Sequence, residues 1–465
     1  MNPLLHTPAL RDSRSGSRGI SRKRMNVLSM PWCDRKGTLS MMLMSGGRQV
    51  LWAVLICTLL ATGASRVYGG GFLIGELSAR GTAMGGVLTP LTDNPTSIHV
   101  NPAALGFLHG TYFSIGTTVT TPNNEFIGIA PSTTSSKMLT QVLFPPNICL
   151  THTFESGFGF GISAKIPYSS KTDWGAEWIG NTVVVGTEMR GVEVTPVLAF
   201  RPAPWIAVGI GLNINSFRVR TSDVVPLAKD STEILQGVRG FEGNAQTGYG
   251  LELGITAKPF DVLSIGLVYK SRSAISITDG KVAYQALPAE LVMQYPDTRF
   301  TSDFTLPEQF IAGVGVRPFA GFLLTGELQY VQWSDFGSLQ FHMEDGSGLV
   351  LTQQDGWGDV LTARVGVELQ LPEIVLRAGY ASDRTPVPDP ELRPSIPDAN
   401  REVISVGVGY EVGEGLTLDF AFQSIRHRER TVTTSRVLTG SGIPFNGTYL
   451  LSATVVGLNV SYSWK

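Results

Sequence analysis

The sequence predicts an all-β fold, a transmembrane antiparallel β-barrel of about 14 strands with an N-terminal plug inside the lumen. Three observations predict it. Beyond residue 110, apolar residues recur at every second position over long stretches, the periodicity of a strand with two unlike faces. Only 16% of the 465 residues are charged, against roughly 25% in a typical soluble domain, and 53 are glycine. Short and long connections alternate between the predicted strands, the pattern of tight turns on one side of a membrane and long loops on the other.

The alternation is cleanest near the C-terminus. Leu458, Val460, Tyr462 and Trp464 alternate with Gly457, Asn459, Ser461 and Ser463. Leu416 to Phe422, Ile404 to Tyr410 and Phe158 to Ile166 behave in the same way. One face is apolar or aromatic, and the other is small and mildly polar with an occasional charge. A soluble sandwich would carry many Lys and Glu on its wet face. A barrel that puts lipid outside and a crowded lumen inside accounts for the pattern, and closure removes edges that lipid would not tolerate. Strands centre near 115, 146, 162, 195, 211, 252, 266, 312, 328, 365, 377, 407, 420 and 458. Turns such as Arg201–Trp205, Pro318–Gly321 and Glu411–Gly415 alternate with long stretches at 167–188, 218–246, 272–306, 334–358, 381–401 and 425–450.

The domains follow: 1–69 a leader, 70–110 the plug, 111–465 the barrel. Arg48 precedes an apolar run, Val50 to Ala61, that is too short to span a bilayer and suits a secretory signal. Cleavage is expected after Ala64 or Gly69, and translation is expected to start at Met44 or a nearby Met. Ten Lys/Arg and two Asp/Glu lie in residues 1–69, which leaves 26 basic and 36 acidic residues and a formal charge of −10. That balance argues against nucleic acid as a partner. Cys149 is the lone cysteine of the mature chain, so neither an intrachain disulfide nor a cysteine metal cluster can form. Residues 70–110 are rich in small residues and lack sustained alternation; their apolar start, Phe72 to Ile74, favours a plug over a periplasmic tail.

Four segments carry a family resemblance. Ser78-Ala-Arg80-Gly81 is followed by Asn94-Pro95 and Asn101-Pro102-Ala103; Pro167-Tyr168 precedes Trp178-Ile179-Gly180; Gln332-Trp333-Ser334 leads to Phe336; and Leu376-Arg377-Ala-Gly379-Tyr380 runs on to Thr385-Pro386 and Ile396-Pro397-Asp398. In that order the mature chain resembles the outer-membrane transporters of long-chain fatty acids and aromatic hydrocarbons, the FadL/TodX type. Two departures stand out: Asn181 where members often carry Arg, and a final Lys465 after the aromatic Trp464. The resemblance implies a hydrophobic small molecule caught among the outer loops, passed to a site near the plug and released sideways at a kinked strand by facilitated diffusion. It implies no cofactor, no metal and no catalysis. The expected partners are that substrate, outer-membrane lipid and lipopolysaccharide, and the barrel-assembly machinery, with the chain a monomer in a Gram-negative outer membrane.

The candidate substrate-binding residues are Trp174, Trp178 and Ile179 in the outer groove, Phe72 and Leu73 on the plug, and Arg377 in the lumen. For the tryptophans the alternative is an interfacial aromatic girdle; for Phe72 and Leu73 it is plug packing. Asn101, Pro102 and Ala103 are read as fixing the plug to the wall, a gating role more than a ligand contact. Alternation points Lys165, Glu193, Arg201, Lys270, Glu327, Arg364, Glu368 and Arg377 inward. A base there can meet a fatty carboxylate, but a bracing Glu–Arg network is the stronger reading for any one of them. A general diffusion porin and an outer-membrane lipase are the alternative functions. The six histidines form no metalloprotease helix, no Gly-x-Ser-x-Gly elbow is present, and Gly157-Phe-Gly-Phe-Gly161 lies within a strand.

Overall fold

The computed structural model describes residues 70–464 apart from 130–132, 229–233, 286, 288, 347–349, 355 and 414. The leader, with its apolar run, both cleavage positions, Cys33 and Cys57, lies outside the described residues, as does Lys465.

Where apolar and small residues alternate, the chain forms the wall of a barrel. Among the described residues fourteen strands close a ring: β1 (Gly110–Gly128), β2 (Pro146–Thr153), β3 (Phe158–Asp173), β4 (Gly186–Ala203), β5 (Ile206–Ala228), β6 (Gly248–Phe260), β7 (Leu263–Lys270), β8 (Gln309–Val316), β9 (Phe322–Val331), β10 (Val360–Gln370), β11 (Ile374–Asp383), β12 (Arg401–Glu411), β13 (Leu416–His427) and β14 (Gly447–Trp464). Each is antiparallel to the next, and β14 returns to β1 in register from Thr111↔Trp464 to Gly128↔Gly447. Every strand centre read from the sequence falls in one of these. Every strand of the ring has a partner on both sides over at least part of its length, so the wall closes on itself.

The two faces divide as the alternation implies. Leu458, Val460, Phe420, Phe422, Ile404 and Val406 are exposed, whereas Gly457, Asn459, Ala421, Asp419 and Ser405 are buried. The stretches 218–246, 272–306 and 334–358, read as loops, depart from expectation because they carry strands. β5 continues to Ala228, and strands at Ile234–Asn244, Ser273–Gln285, Thr298–Leu306, Leu339–Met343 and Val350–Gln354 pair outward from it in succession.

In this outer extension the polarity of the alternation inverts. Along β5, Val208, Ile210 and Leu212 face outward to lipid; beyond Ser216, Phe217 and Val219 are buried and Arg218 and Arg220 face out. Beyond the apolar belt the outside is water, so the apolar side chains turn to the interior.

Residues 70–109 lie inside the ring. One short helix, α1 (Ala79–Ala83), is capped by the Ser78 side chain accepting from the Gly81 N–H, and two 3-10 turns, Pro95–His99 and Pro102–Phe107, begin with Asn94 and Asn101 as caps. Ala79 N–H donates to Asn459, Gly85 N–H to Ser405, and the Leu88 and Thr89 N–H groups to Glu327. Those partners come from β14, β12 and β9, so the segment is held from several sides of the wall. Glycine makes room for it. A Cβ at Gly379 would sit 2.1 Å from Gly85 N, and one at Gly254 would sit 2.4 Å from the Asn101 Oδ1. This explains the glycine of the Arg377-Ala-Gly379-Tyr380 segment by close backbone approach.

Candidate functional site: an aromatic interior leading to a break in the wall

At the outer end, Trp174 and Trp178 stack at 4.6 Å between ring centres and are buried. Their indole N–H groups donate to Pro394 O at 2.9 Å and Val184 O at 2.6 Å, so the polar tips are satisfied and the faces stay apolar. Phe126 and Phe445 stack beside Trp178. Ile179 is 36% exposed at the rim of this cluster. Asn181 donates its side-chain amide to Ala176 O and so ties the loop to itself.

The same buried apolar cluster continues inward to Phe72. The Phe72 ring is surrounded by Trp333 at 4.9 Å, Phe336 at 5.4 Å, Trp357 at 5.7 Å, Tyr168 at 5.9 Å and Phe217 at 6.2 Å. The Trp333 and Trp357 indole nitrogens are buried without a hydrogen-bond partner. The residue before Phe72 is anchored from an outer loop, because Asp398 Oδ2 accepts the Gly71 N–H at 2.9 Å. Burial pushes the Asp398 carboxyl up, against the pull of Arg401 and that N–H.

Phe72 and Leu73 also touch the wall. β3 pairs with β2 only as far as Ala164↔Ile148 but with β4 as far as Asp173↔Gly186. A bulge falls between Lys165 and Tyr168, where Pro167 has no N–H to give. Beyond it the free edge of β3 meets the N-terminal segment: Pro167 O accepts the Ile74 N–H at 2.8 Å, and Ser169 N–H donates to Phe72 O at 2.9 Å. Outside this break lies a cavity of about 210 Å³ between Val142, Phe144 and Ile166.

Below the aromatic interior the charges pair with one another. Arg80 makes two hydrogen bonds to Glu368, each 2.9 Å, and meets Asp93 at 2.7 Å. Arg377, proposed from the sequence as a ligand contact, is 2.7 Å from Glu368 and 2.6 Å from Asp419, with its side chain 4% exposed. Arg364 meets Glu327, and Lys165 and Lys270 meet Glu193 and Glu252. Arg201, expected in the lumen, sits half-buried at the opposite rim with its guanidinium 5.8 Å from the Phe107 ring centre; the short turn that follows β4 leaves it at the strand end. Asn101 donates to Thr89 O and Thr256 and accepts from Ala103 N–H, while Pro102 and Ala103 pack against Gly209 and Gly254.

Sequence reasoning singled out Phe72, Leu73, Trp174, Trp178 and Ile179 but assigned no site role to Trp333, Phe336, Trp357, Tyr168 or Phe217. A signal existed for Phe217: it is a large aromatic at an inward position, where lower in the strand Asn213 and Asn215 stand.

A closed fourteen-strand barrel with an apolar interior and an inward-folded N-terminal segment defines a class, the outer-membrane transport barrels. The chain belongs to the outer membrane protein transport family (OMPP1/FadL/TodX), whose family model matches residues 60–464. It is 23% identical over 386 residues to a long-chain fatty acid transport protein of Salmonella typhi, covering 77% of this chain and 87% of that one. It is 22% identical over 433 residues to a 47 kDa outer membrane protein of Pasteurella multocida, covering 88% and 97%. In fold it is similar to a Pseudomonas aeruginosa FadL homologue, with a TM-score of 0.74, 17% identity, and 85% and 100% of the two chains covered. It is also similar to the toluene transporter TodX of Pseudomonas putida, with a TM-score of 0.64, 15% identity, and 86% and 99% covered. The protein is thus an outer-membrane transport protein of the Gram-negative envelope.

Proposed function

We propose that the chain conducts a hydrophobic small molecule, a long-chain fatty acid or an aromatic hydrocarbon, across the outer membrane by facilitated diffusion and without altering it chemically. Cargo is caught at Trp174, Trp178 and Ile179, passes to the surroundings of Phe72 and Leu73, and leaves sideways at the β3 bulge. The observation that carries this reading is the unbroken apolar cluster from the loop tryptophans to Phe72, ending beside a break in the wall. An apolar molecule gains nothing from a water-filled pore, and a lateral exit keeps it out of water. Residues 70–109 act as the plug, with Asn101, Pro102 and Ala103 fixing it to β5 and β6.

A strain lacking the gene, complemented with the wild type, is expected to regain uptake of oleate or toluene. Complementation with Pro167→Ala and Tyr168→Thr, which favour continuous pairing of β3, is expected to restore less. Equal uptake by both would overturn lateral release. A large, steady ion current through the purified wild type would overturn the plug and favour a diffusion porin, whereas deletion of residues 70–103 is expected to raise conductance.

A further inference from the structure

Above the apolar belt, the outward face of β3, β4, β5 and the strands beside them carries a concentration of bases. Lys171 on β3 lies opposite Glu188 on β4, which lies opposite Arg220 on β5; Arg220 is opposite Glu242, and Glu242 is opposite Lys281. One step nearer the membrane, Arg190 on β4 stands directly opposite Arg218 on β5. Across neighbouring strands such a pair has its Cβ atoms about 5 Å apart, and like charges so placed are destabilising.

The local carboxylates do not offset this. Arg218 and Arg220 share one acid, Glu242. Among the described residues, Lys171, Arg190 and Lys281 have no ion-pair partner, and the Arg218 Nε is buried without a hydrogen-bond acceptor. Five bases therefore face three acids, Asp173, Glu188 and Glu242. The face is concave, with a groove of about 540 Å³ lined by Lys171, Glu188, Arg220, Glu242 and Lys281. Its lower border is apolar: Val142, Phe144 and Ile166 line the adjoining cavity together with Lys171 and Arg190.

We propose that this face is a docking site for the phosphorylated sugar headgroup of lipopolysaccharide, the anionic lipid of the outer leaflet. Arg190 and Arg218 together form the centre of the site and take one phosphate, Lys171 flanks it, and Arg220 and Lys281 extend it along the groove. Three features point to this occupant. The bases face outward, away from the aromatic interior. They sit where the outward residues change from Val192, Val194 and Ile214 to charged ones, the level at which a headgroup lies. Guanidinium groups suit phosphate through charge-assisted, bidentate bonds. An acyl chain below such a headgroup meets Phe144 and Val142 on the lipid side. The site does not depend on the transport reading, since its occupant never enters the barrel.

The test uses the whole protein in detergent with purified rough-type lipopolysaccharide, measured by native mass spectrometry and by titration. The wild type is expected to retain the lipid. The double change Arg190→Gln and Arg218→Gln is expected to weaken binding about 25-fold, roughly a factor of five for each base removed near an anionic surface. A control pair, Arg426→Gln and Arg428→Gln on another sector of the outward rim, is expected to bind as the wild type does. Heat-modifiable migration of all three proteins confirms the folded barrel. Unchanged binding by the Arg190/Arg218 variant overturns the site. Equal binding of enzymatically dephosphorylated lipopolysaccharide shows that acyl chains alone hold the lipid and also overturns it. Equal affinity for inorganic phosphate overturns the lipid assignment in favour of a free-anion site.

Discussion

Replacing Gly379 by Ala tests whether the N-terminal segment is held by close backbone fit. In the wild type the Gly379 hydrogen faces the turn after α1. A methyl there would lie 2.1 Å from Gly85 N and 2.2 Å from Met84 C, where ordinary contact begins at 3.4 Å. The obstructing atoms are backbone, so no side-chain rotation relieves them, and the turn must retreat by about 1 Å. The retreat strains the Gly85 N–H to Ser405 bond of 3.0 Å and the Ser405 bond back to Ala83 O of 3.1 Å. It also disturbs the twofold Arg80–Glu368 contact. Overpacking of this kind costs about 1–3 kcal/mol, and the lost bonds add about 1 kcal/mol each. At about 3 kcal/mol the docked population of the segment shifts by roughly a hundredfold. Single-channel recording in planar bilayers is expected to show brief openings absent from the wild type, together with faster proteolysis of the segment. Gly326→Ala is the control, because its Cβ would meet Val314 at an ordinary 3.8 Å. If Gly379→Ala matches both wild type and control in conductance and proteolysis, the account of the fit is wrong.

Three further perturbations follow from the same geometry. Phe72→Ala leaves a cavity walled by Trp333, Phe336 and Trp357, and quenching of tryptophan fluorescence by benzene-sized probes is expected to strengthen; unchanged quenching would refute the enclosure. Arg377→Gln strips Asp419 and half of Glu368 of their counter-charge, so thermal melting should report a loss of about 3–5 kcal/mol, and a silent change would show the network to be unimportant. Asp398 gives a pH dependence. Its carboxyl holds a proton more tightly in the fold than in the unfolded chain, near pH 4, so its contribution to stability falls as pH rises through that window. The melting temperature of the wild type minus that of Asp398→Asn is expected to grow more negative from about pH 3.5 to pH 7. A flat or opposite trend would mean that the Arg401 attraction outweighs burial.

The wall of the barrel was legible because its physics is local. A residue's outward or inward place is fixed by parity along its own strand, so fourteen centres and the inward direction of Lys165, Glu193, Glu327 and Glu368 could be read without tertiary information. The aromatic surroundings of Phe72 were not legible as a site for the opposite reason. Tyr168, Phe217, Trp333 and Trp357 arrive from four separate parts of the chain, and their meeting depends on the outer extension, where 218–246, 272–306 and 334–358 read as loops. Turn-forming residues interrupt those stretches, and the inversion of polarity beyond Ser216 hides their strands from a rule tuned to lipid outside and polar inside. Read with the inverted rule, Phe217 and Val219 facing in and Arg218 and Arg220 facing out are a strand pattern in their own right.

That inversion links transport to the envelope. The apolar surface that faces lipid at mid-membrane moves to the interior above it, so apolar burial resumes in the aromatic surroundings of Phe72 and continues to Trp178, and the proposed lateral route joins the two at the break by Pro167. Bases would be costly in that interior, and the described charges respect this. Arg80, Arg364 and Arg377 are neutralised against Glu368, Glu327 and Asp419 beneath the aromatic rings, and Arg190, Arg218 and Lys171 face the outer surface. A cargo with a carboxylate therefore meets no unpaired base along the aromatic route among the described residues, only unpartnered neutral donors: the indole N–H groups of Trp333 and Trp357, and the Tyr449 hydroxyl beside Phe126. Replacing either tryptophan by Phe keeps the apolar face and removes the donor. A drop in oleate binding with toluene binding unchanged would identify those groups as the contact for a polar head, and equal losses for both would identify the rings alone as the contact.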